Sequence, residues 1–120
     1  GVAPVLSILH TLADTKDKRP IHLFYGNLDD KTIAFKKEIE ALKKKLNLKV
    51  THVLEKPSKK VKSETGFITQ ELLARELPRN RAKWYYFICG PLPMIASMEA
   101  NLKGLEIPRL QITSEKYEMA

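Results

Sequence analysis

The residues richest in chemistry are Cys89, Gly90, Pro91 and Met94, because of what precedes them. Trp84-Tyr85-Tyr86-Phe87-Ile88 is a charge-free run of bulky, β-prone residues, and it stops at Cys89, the single cysteine among 120 residues. A continuous apolar run of this kind reads as a strand buried on both faces, as in the middle of a parallel sheet. Ligands of open parallel sheets sit just past the carboxyl ends of the strands. Cys89-Gly90-Pro91 therefore falls where a ligand edge belongs. Two further segments share this character. Tyr25-Gly26-Asn27 ends the apolar run that begins at Ile21, and Gly1-Val2-Ala3-Pro4 precedes a helical pattern. Glycine lets a backbone approach a ligand closely, and a helix N-terminus offers free amides and a positive dipole end to a pyrophosphate. Singly, each segment reads equally as an ordinary turn. Together, at one edge of an alternating fold, they point to a nucleotide.

Other chemistries find less support. No basic pair or helix start marks Cys89 as a reactive thiolate, and a buried structural thiol is the competing reading. His10, His22 and His52 are scattered without ligand spacing, so no metal site is expected. No serine stands in a Gly-x-Ser-x-Gly elbow. The formal net charge is +7, with lysines clustered at Lys36-Lys37, Lys43 to Lys45 and Lys56 to Lys62. The aromatic residues lie in apolar runs and not among those lysines, which argues against a stacking nucleic-acid interface. Solvated helix faces and one basic loop account for the charge, and a basic rim attracts an anionic ligand such as a dinucleotide.

The elements that must position these residues alternate. Pro4 to Ala13 reads as a helix with Val5, Leu6, Ile8, Leu9 and Leu12 at helical spacing. Ile21 to Tyr25 is a strand. Asp29 or Asp30 is placed to cap a helix carrying Ile33, Phe35, Ile39, Leu42 and Leu46 on one side. Leu48 to Leu54 is a second strand, and Glu55 to Thr65 a polar, lysine-rich loop. Ile68 to Leu77 is a helix stopped by Pro78, Trp84 to Cys89 the third strand, Leu92 to Leu102 a helix ending near Gly104, and Arg109 to Thr113 a last short strand. The order α-β-α-β-α-β-α-β predicts an α/β fold, a doubly wound parallel sheet of four strands with helices on both faces.

A hydrophobic fraction of 43% and this length predict one domain spanning 1–120. One cysteine fits a reducing compartment, and neither a membrane span nor a signal peptide is visible. The opening helix has no strand before it, whereas a doubly wound sheet normally opens with a central strand. Either the sheet has four strands, or the chain is a fragment cut just after its first strand.

The matching segments, in order, are Gly1-Val2-Ala3-Pro4 with Val5 to Leu9; Tyr25-Gly26-Asn27 with Ile33 to Ile39; His52-Val53-Leu54-Glu55; Gly66-Phe67-Ile68-Thr69; Phe87-Ile88-Cys89-Gly90-Pro91 with Pro93-Met94; and Ser114-Glu115-Lys116-Tyr117. In these the chain resembles the NAD(P)-binding domain of the ferredoxin–NADP reductase superfamily, in the branch of ferric-reductase-like flavin oxidoreductases. The resemblance covers essentially the whole chain, and Cys-Gly-Pro-x-x-Met is its most specific piece. It implies a domain that binds NADH or NADPH and presents the nicotinamide to FAD on a separate β-barrel domain. Electrons then pass to haem, iron–sulfur or iron. It implies a phosphate loop at Gly1, Val2, Ala3 and Pro4, an adenosine-ribose site at Gly26 and Asn27, and a nicotinamide end at Cys89, Gly90, Pro91 and Met94. Cys89 and Glu115 fall at the hydride-transfer end, with Tyr117 near the flavin face. The glycine-rich strand that usually precedes Gly1 is absent. Leu28, Asp29 and Asp30 stand where many relatives have an arginine for a 2′-phosphate, which leans towards NADH.

In the superfamily's strand order 3-2-1-4-5 the lost strand is the central one. Its loss predicts rearranged pairing, a neighbour's strand in the gap, or a homodimer through exposed sheet edges, with direct pairing of Ile21–Tyr25 and Tyr85–Ile88 as the alternative. Cytoplasmic location, as part of a membrane-linked or partner-linked reductase, is the expected context. A non-catalytic flavodoxin-like interaction module is the rival reading.

Overall fold

The computed structural model describes residues 3–56, 59–60 and 63–116. Its elements are α1 (Ala3–Asp14), β1 (Ile21–Asn27), α2 (Lys36–Lys45), β2 (Leu48–Leu54), β3 (Ser63–Thr65), α3 (Gln70–Glu76), β4 (Tyr85–Gly90), α4 (Leu92–Gly104) and β5 (Ile112–Lys116). The strands form one five-stranded sheet in the order β3-β2-β1-β4-β5, and every pairing is parallel. This is the doubly wound α/β architecture that strict alternation predicts.

The two faces follow from the period of two along each strand. Ile21, Leu23 and Tyr25 of β1, with Phe87 and Cys89 of β4, point to one side. There they meet Val5, Leu6 and Leu9 of α1 and Ile39 and Leu42 of α2. Phe24, Tyr86 and Ile88 point to the other side, against Leu73 of α3 and Met94, Ile95, Met98 and Leu102 of α4. β1 is buried at all seven positions, as a central parallel strand must be. Leu9 and Leu102 are each 0% exposed. Truncating either to alanine is expected to cost about 2–5 kcal/mol through lost transfer energy and the cavity left behind.

Four expectations need correcting. First, β1 and β4 pair directly, Ile21 against Tyr85 through Tyr25 against Cys89. Each strand satisfies the other's ladder, so no inner edge is exposed, and the physical reason for a homodimer through such edges falls away. Second, the lysine-rich segment is not all loop. Ser63–Thr65 forms a short edge strand on His52–Leu54 of β2, so the sheet has five strands and not four. Its sequence, Ser-Glu-Thr, has no apolar alternation to announce it. Third, Asp29 does not cap α2. Its carboxylate accepts from the Lys31 and Thr32 amides and closes a 3-10 turn at Asp30–Thr32. α2 starts later, behind Phe35, whose φ of 59° is left-handed. Fourth, the last strand begins at Ile112, because Arg109–Gln111 forms a 3-10 turn.

No helix among the described residues is long and apolar enough to cross a membrane.

Candidate functional site

At the carboxyl ends of the strands, on the α3/α4 side, lies a crevice of about 580 Å³. Its floor is made by Gly26 and Asn27 of β1 and Val53 of β2, and one wall by Pro91 and Met94 at the start of α4. The opposite wall comes from Glu55 and from the Gly66-Phe67 turn, and Lys116 closes the mouth from the end of β5. This volume is in the ordinary range for small-molecule and cofactor sites.

The local chemistry explains the shape. β4 ends at Gly90, and Pro91 in an extended conformation turns the chain into α4, with proline again in the first turn of the helix. Gly26 and Gly90 both lie beneath the Met94 thioether. A Cβ at either glycine would overlap the Met94 sulfur, so these two positions need glycine while Met94 stays in place. Beside them Asn27 is 3% exposed, and its side chain shares the α1/α2 face of Tyr25, where it approaches the Tyr25 hydroxyl. Two glycines capped by one flexible side chain suit the close approach of a nucleotide's oxygen-rich backbone. The residues present therefore fit a dinucleotide.

The other expected site residues fall elsewhere. Cys89 is 0% exposed and belongs to the α1/α2 side, beneath the crevice floor and not lining it. The reason is strand alternation: Cys89 shares the face of its register partner Tyr25, and Gly90 takes the other. Burial, with the Glu115 carboxylate as a further cause, pushes its thiol up to about 12. The sulfur is thus a neutral thiol at physiological pH and not a nucleophile. Glu115 sits opposite Cys89 in the β4–β5 register and is half-buried. Ala3 and Pro4 are exposed at the start of α1 and do not line the crevice. Gly1, Val2 and Tyr117 lie outside the described residues.

Glu55, Phe67, Val53 and Lys116 line the crevice without having been singled out as site residues. Glu55 and Lys116 were findable as the positions immediately after or at the end of parallel strands. Phe67 was not, because its place depends on β3 and on the turn at Gly66, whose φ is +71°. Phe67 and Leu92 are 67% and 56% exposed at the crevice mouth, two large apolar side chains left to solvent.

An open parallel sheet with a glycine-floored crevice at its carboxyl edge defines a nucleotide-binding α/β domain, and comparison with known proteins makes the class specific. The sequence profile of the oxidoreductase NAD-binding domain family matches residues 1–100. The chain belongs to that family. It is 35% identical over 98 residues to NADH-cytochrome b5 reductase 2 of Kluyveromyces lactis, covering 79% of this chain and 33% of that protein. It is 34% identical over 118 residues to NADH-cytochrome b5 reductase 1 of Lodderomyces elongisporus, covering 96% and 39%. The chain thus spans a little over a third of the length of such relatives. In structure it resembles the cytochrome b5 reductase domain of Ulva prolifera nitrate reductase, with a TM-score of 0.74 at 23% identity, covering 96% of this chain and 45% of that one. It also resembles the FAD/NAD binding domain of Vibrio cholerae nitric oxide dioxygenase, with a TM-score of 0.76 at 20% identity, covering 98% and 47%.

Proposed function

We propose that this chain is the NAD(P)H-binding domain of a longer flavin-dependent oxidoreductase, and that the crevice over Gly26 and Gly90 is its dinucleotide site. The observation that carries the reading is the pair of glycines, Gly26 and Gly90, capped by Met94 at the carboxyl ends of two neighbouring parallel strands. When bound, the dinucleotide supplies a hydride and an FAD on the partner domain accepts it; the protein's share is position and polarity. Gly26 and Gly90 let the ligand backbone approach the sheet. Pro91 and Met94 form the wall that orients the ring, and Lys116 offers positive charge at the mouth. Cys89, a neutral buried thiol, supports the floor from below, and Glu115 stands beside it. Gly1, Val2, Ala3 and Pro4 belong to the phosphate loop in this reading, and Tyr117 to the flavin face.

The partner is a flavin-binding β-barrel domain of the parent protein, with haem, iron–sulfur or iron as the acceptor beyond it, in a reductase facing the cytoplasm. The exposed Phe67 and Leu92 are where bound ligand or that partner would remove apolar surface from water. The acidic pair Asp29-Asp30, beginning two residues past the end of β1 at Asn27, disfavours a 2′-phosphate, so NADH is preferred over NADPH.

The test is a titration followed by NADH fluorescence. The 120-residue chain is compared with a form extended upstream to include the flavin domain. NADH is expected to bind both, more tightly in the extended form, and Gly26→Ala, whose Cβ would press on the Met94 sulfur, is expected to weaken binding about tenfold. Absence of binding in both forms would sink the proposal.

A further inference from the structure

The sheet has a second opening, on its β2 edge and away from the crevice. The hydrogen-bond parity of β2 can be read directly. Ile21 N–H donates to Asn47 O at 2.9 Å and Glu55 N–H to Asn27 O at 3.1 Å, so the odd-numbered positions of this strand bond to β1. Gly66 N–H donates to Leu54 O at 3.4 Å, so the even-numbered positions turn outward, towards β3. β3 covers only His52–Leu54. Leu48 and Val50 therefore present main-chain groups to an edge without a strand partner among the described residues. Val50 and Thr51 are half-buried, while Leu48 and His52 to Leu54 are buried by the helices on either face.

The uncovered edge lies in a cleft of about 420 Å³ that continues the line of β3 between two helices. Its flanks differ. On the α3 side it is lined by Phe24, Ile68, Leu73 and Leu77, with Lys49 and Glu76 beside them. On the α2 side it is lined by Lys36 and Lys43, with Glu40 held 3.6 Å from Lys43. Such an exposed pair is worth little in water and yields readily to a competing anion. At the floor stand two imidazoles more than nine-tenths buried, His22 and His52, each with Nδ1 unpartnered.

We infer that this cleft docks an extended segment of a partner protein with alternating apolar and acidic residues, added as a strand to the edge of β2. A strand in that position turns successive side chains to opposite flanks. One set drops against the α3 leucines and the other meets the α2 lysines. A second copy of this chain is a poor occupant, because it would bring Lys43 and the exposed Lys49 against their own kind.

The experiment uses the whole chain and two fluorescein-labelled hexapeptides, (Glu-Val)₃ and (Lys-Val)₃, followed by anisotropy at low and high salt. The acidic peptide is expected to bind about tenfold more tightly than the basic one, with the margin shrinking in salt. Val50→Pro removes an outward N–H without touching the β1 ladder, and is expected to abolish binding. Lys43→Glu, on the solvated side of α2, tests the charge independently and is expected to reverse the preference between peptides. Equal affinity for both peptides, unchanged binding in folded Val50→Pro, or self-association that consumes the edge in sedimentation would each overturn the inference.

Discussion

His22 gives the sharpest quantitative test of how this domain is held together. It sits on β1 at 3% exposure, stacked on Phe24 at 4.1 Å between ring centroids, with Tyr86 and Trp84 each 6.3 Å away. Nε2 and Thr51 Oγ1 are hydrogen bonded at 2.7 Å, and no carboxylate among the described residues offsets the burial of the ring. Burial, aided by the Lys49 charge, drives its pKa down from 6.5 to about 3. The folded state therefore keeps the ring neutral while the unfolded chain takes up a proton near pH 6.5. Because the unfolded state binds more protons between those values, stability rises with pH across that window and is lost as pH falls below 6.5. The slope is about 1.4 kcal/mol per pH unit, or about 2 kcal/mol lost by pH 5. His52, whose pKa is also lowered by burial, acts in the same direction. The assay is urea unfolding at pH 7.5, 6 and 5, read by the fluorescence of Trp84, the single tryptophan. The comparison is with His22→Phe, which keeps the stack and removes the titration; His52 contributes equally to both proteins and cancels. At a urea dependence of about 1–2 kcal/mol per molar, the wild type is expected to lose about 1–2 M more of its midpoint than the variant between pH 7.5 and pH 5. Parallel pH profiles for the two proteins would refute the reasoning, as would a His22 ring that titrates near pH 6 in the folded state by NMR.

Three further outcomes follow from the site and its supports. Gly90→Ala is expected to push the Met94 thioether aside and weaken NADH binding about tenfold, and Met94→Ala in the same chain should relieve part of the loss, a coupling that a double-mutant cycle with calorimetry measures. The Cys89 thiol should react with iodoacetamide at pH 8 at least about a hundredfold more slowly than a free thiol until the protein is unfolded, since it is fully buried and neutral, and ordinary rates in the native protein would contradict the placement. Phe35→Gly, at the left-handed φ of 59°, is expected to stabilise by up to about 1 kcal/mol in thermal or urea unfolding because the present side chain is 49% exposed and gains little from packing.

What the sequence determined by itself was the alternation of elements and hence the doubly wound parallel sheet, because apolar runs of period one and helical stripes of period 3.6 are local signals that survive without neighbours. It also located the carboxyl ends of β1 and β4, since a glycine that stops a buried run is legible in the chain, and Gly26, Asn27, Pro91 and Met94 do gather in one crevice. Three things were decided only by the tertiary structure. The direct pairing of β1 with β4 depends on which ladders find partners, a question of edges and not of residues. β3 exists because β2 offers an edge to the Ser63–Thr65 segment, which has no strand pattern of its own. The place of Cys89 rests on a parity of one residue: at the end of the same strand, Gly90 opens to the Met94 side while Cys89 turns into the core beneath it. The run from Trp84 to Cys89 is apolar on both faces, so it carries no alternation from which that parity could be read.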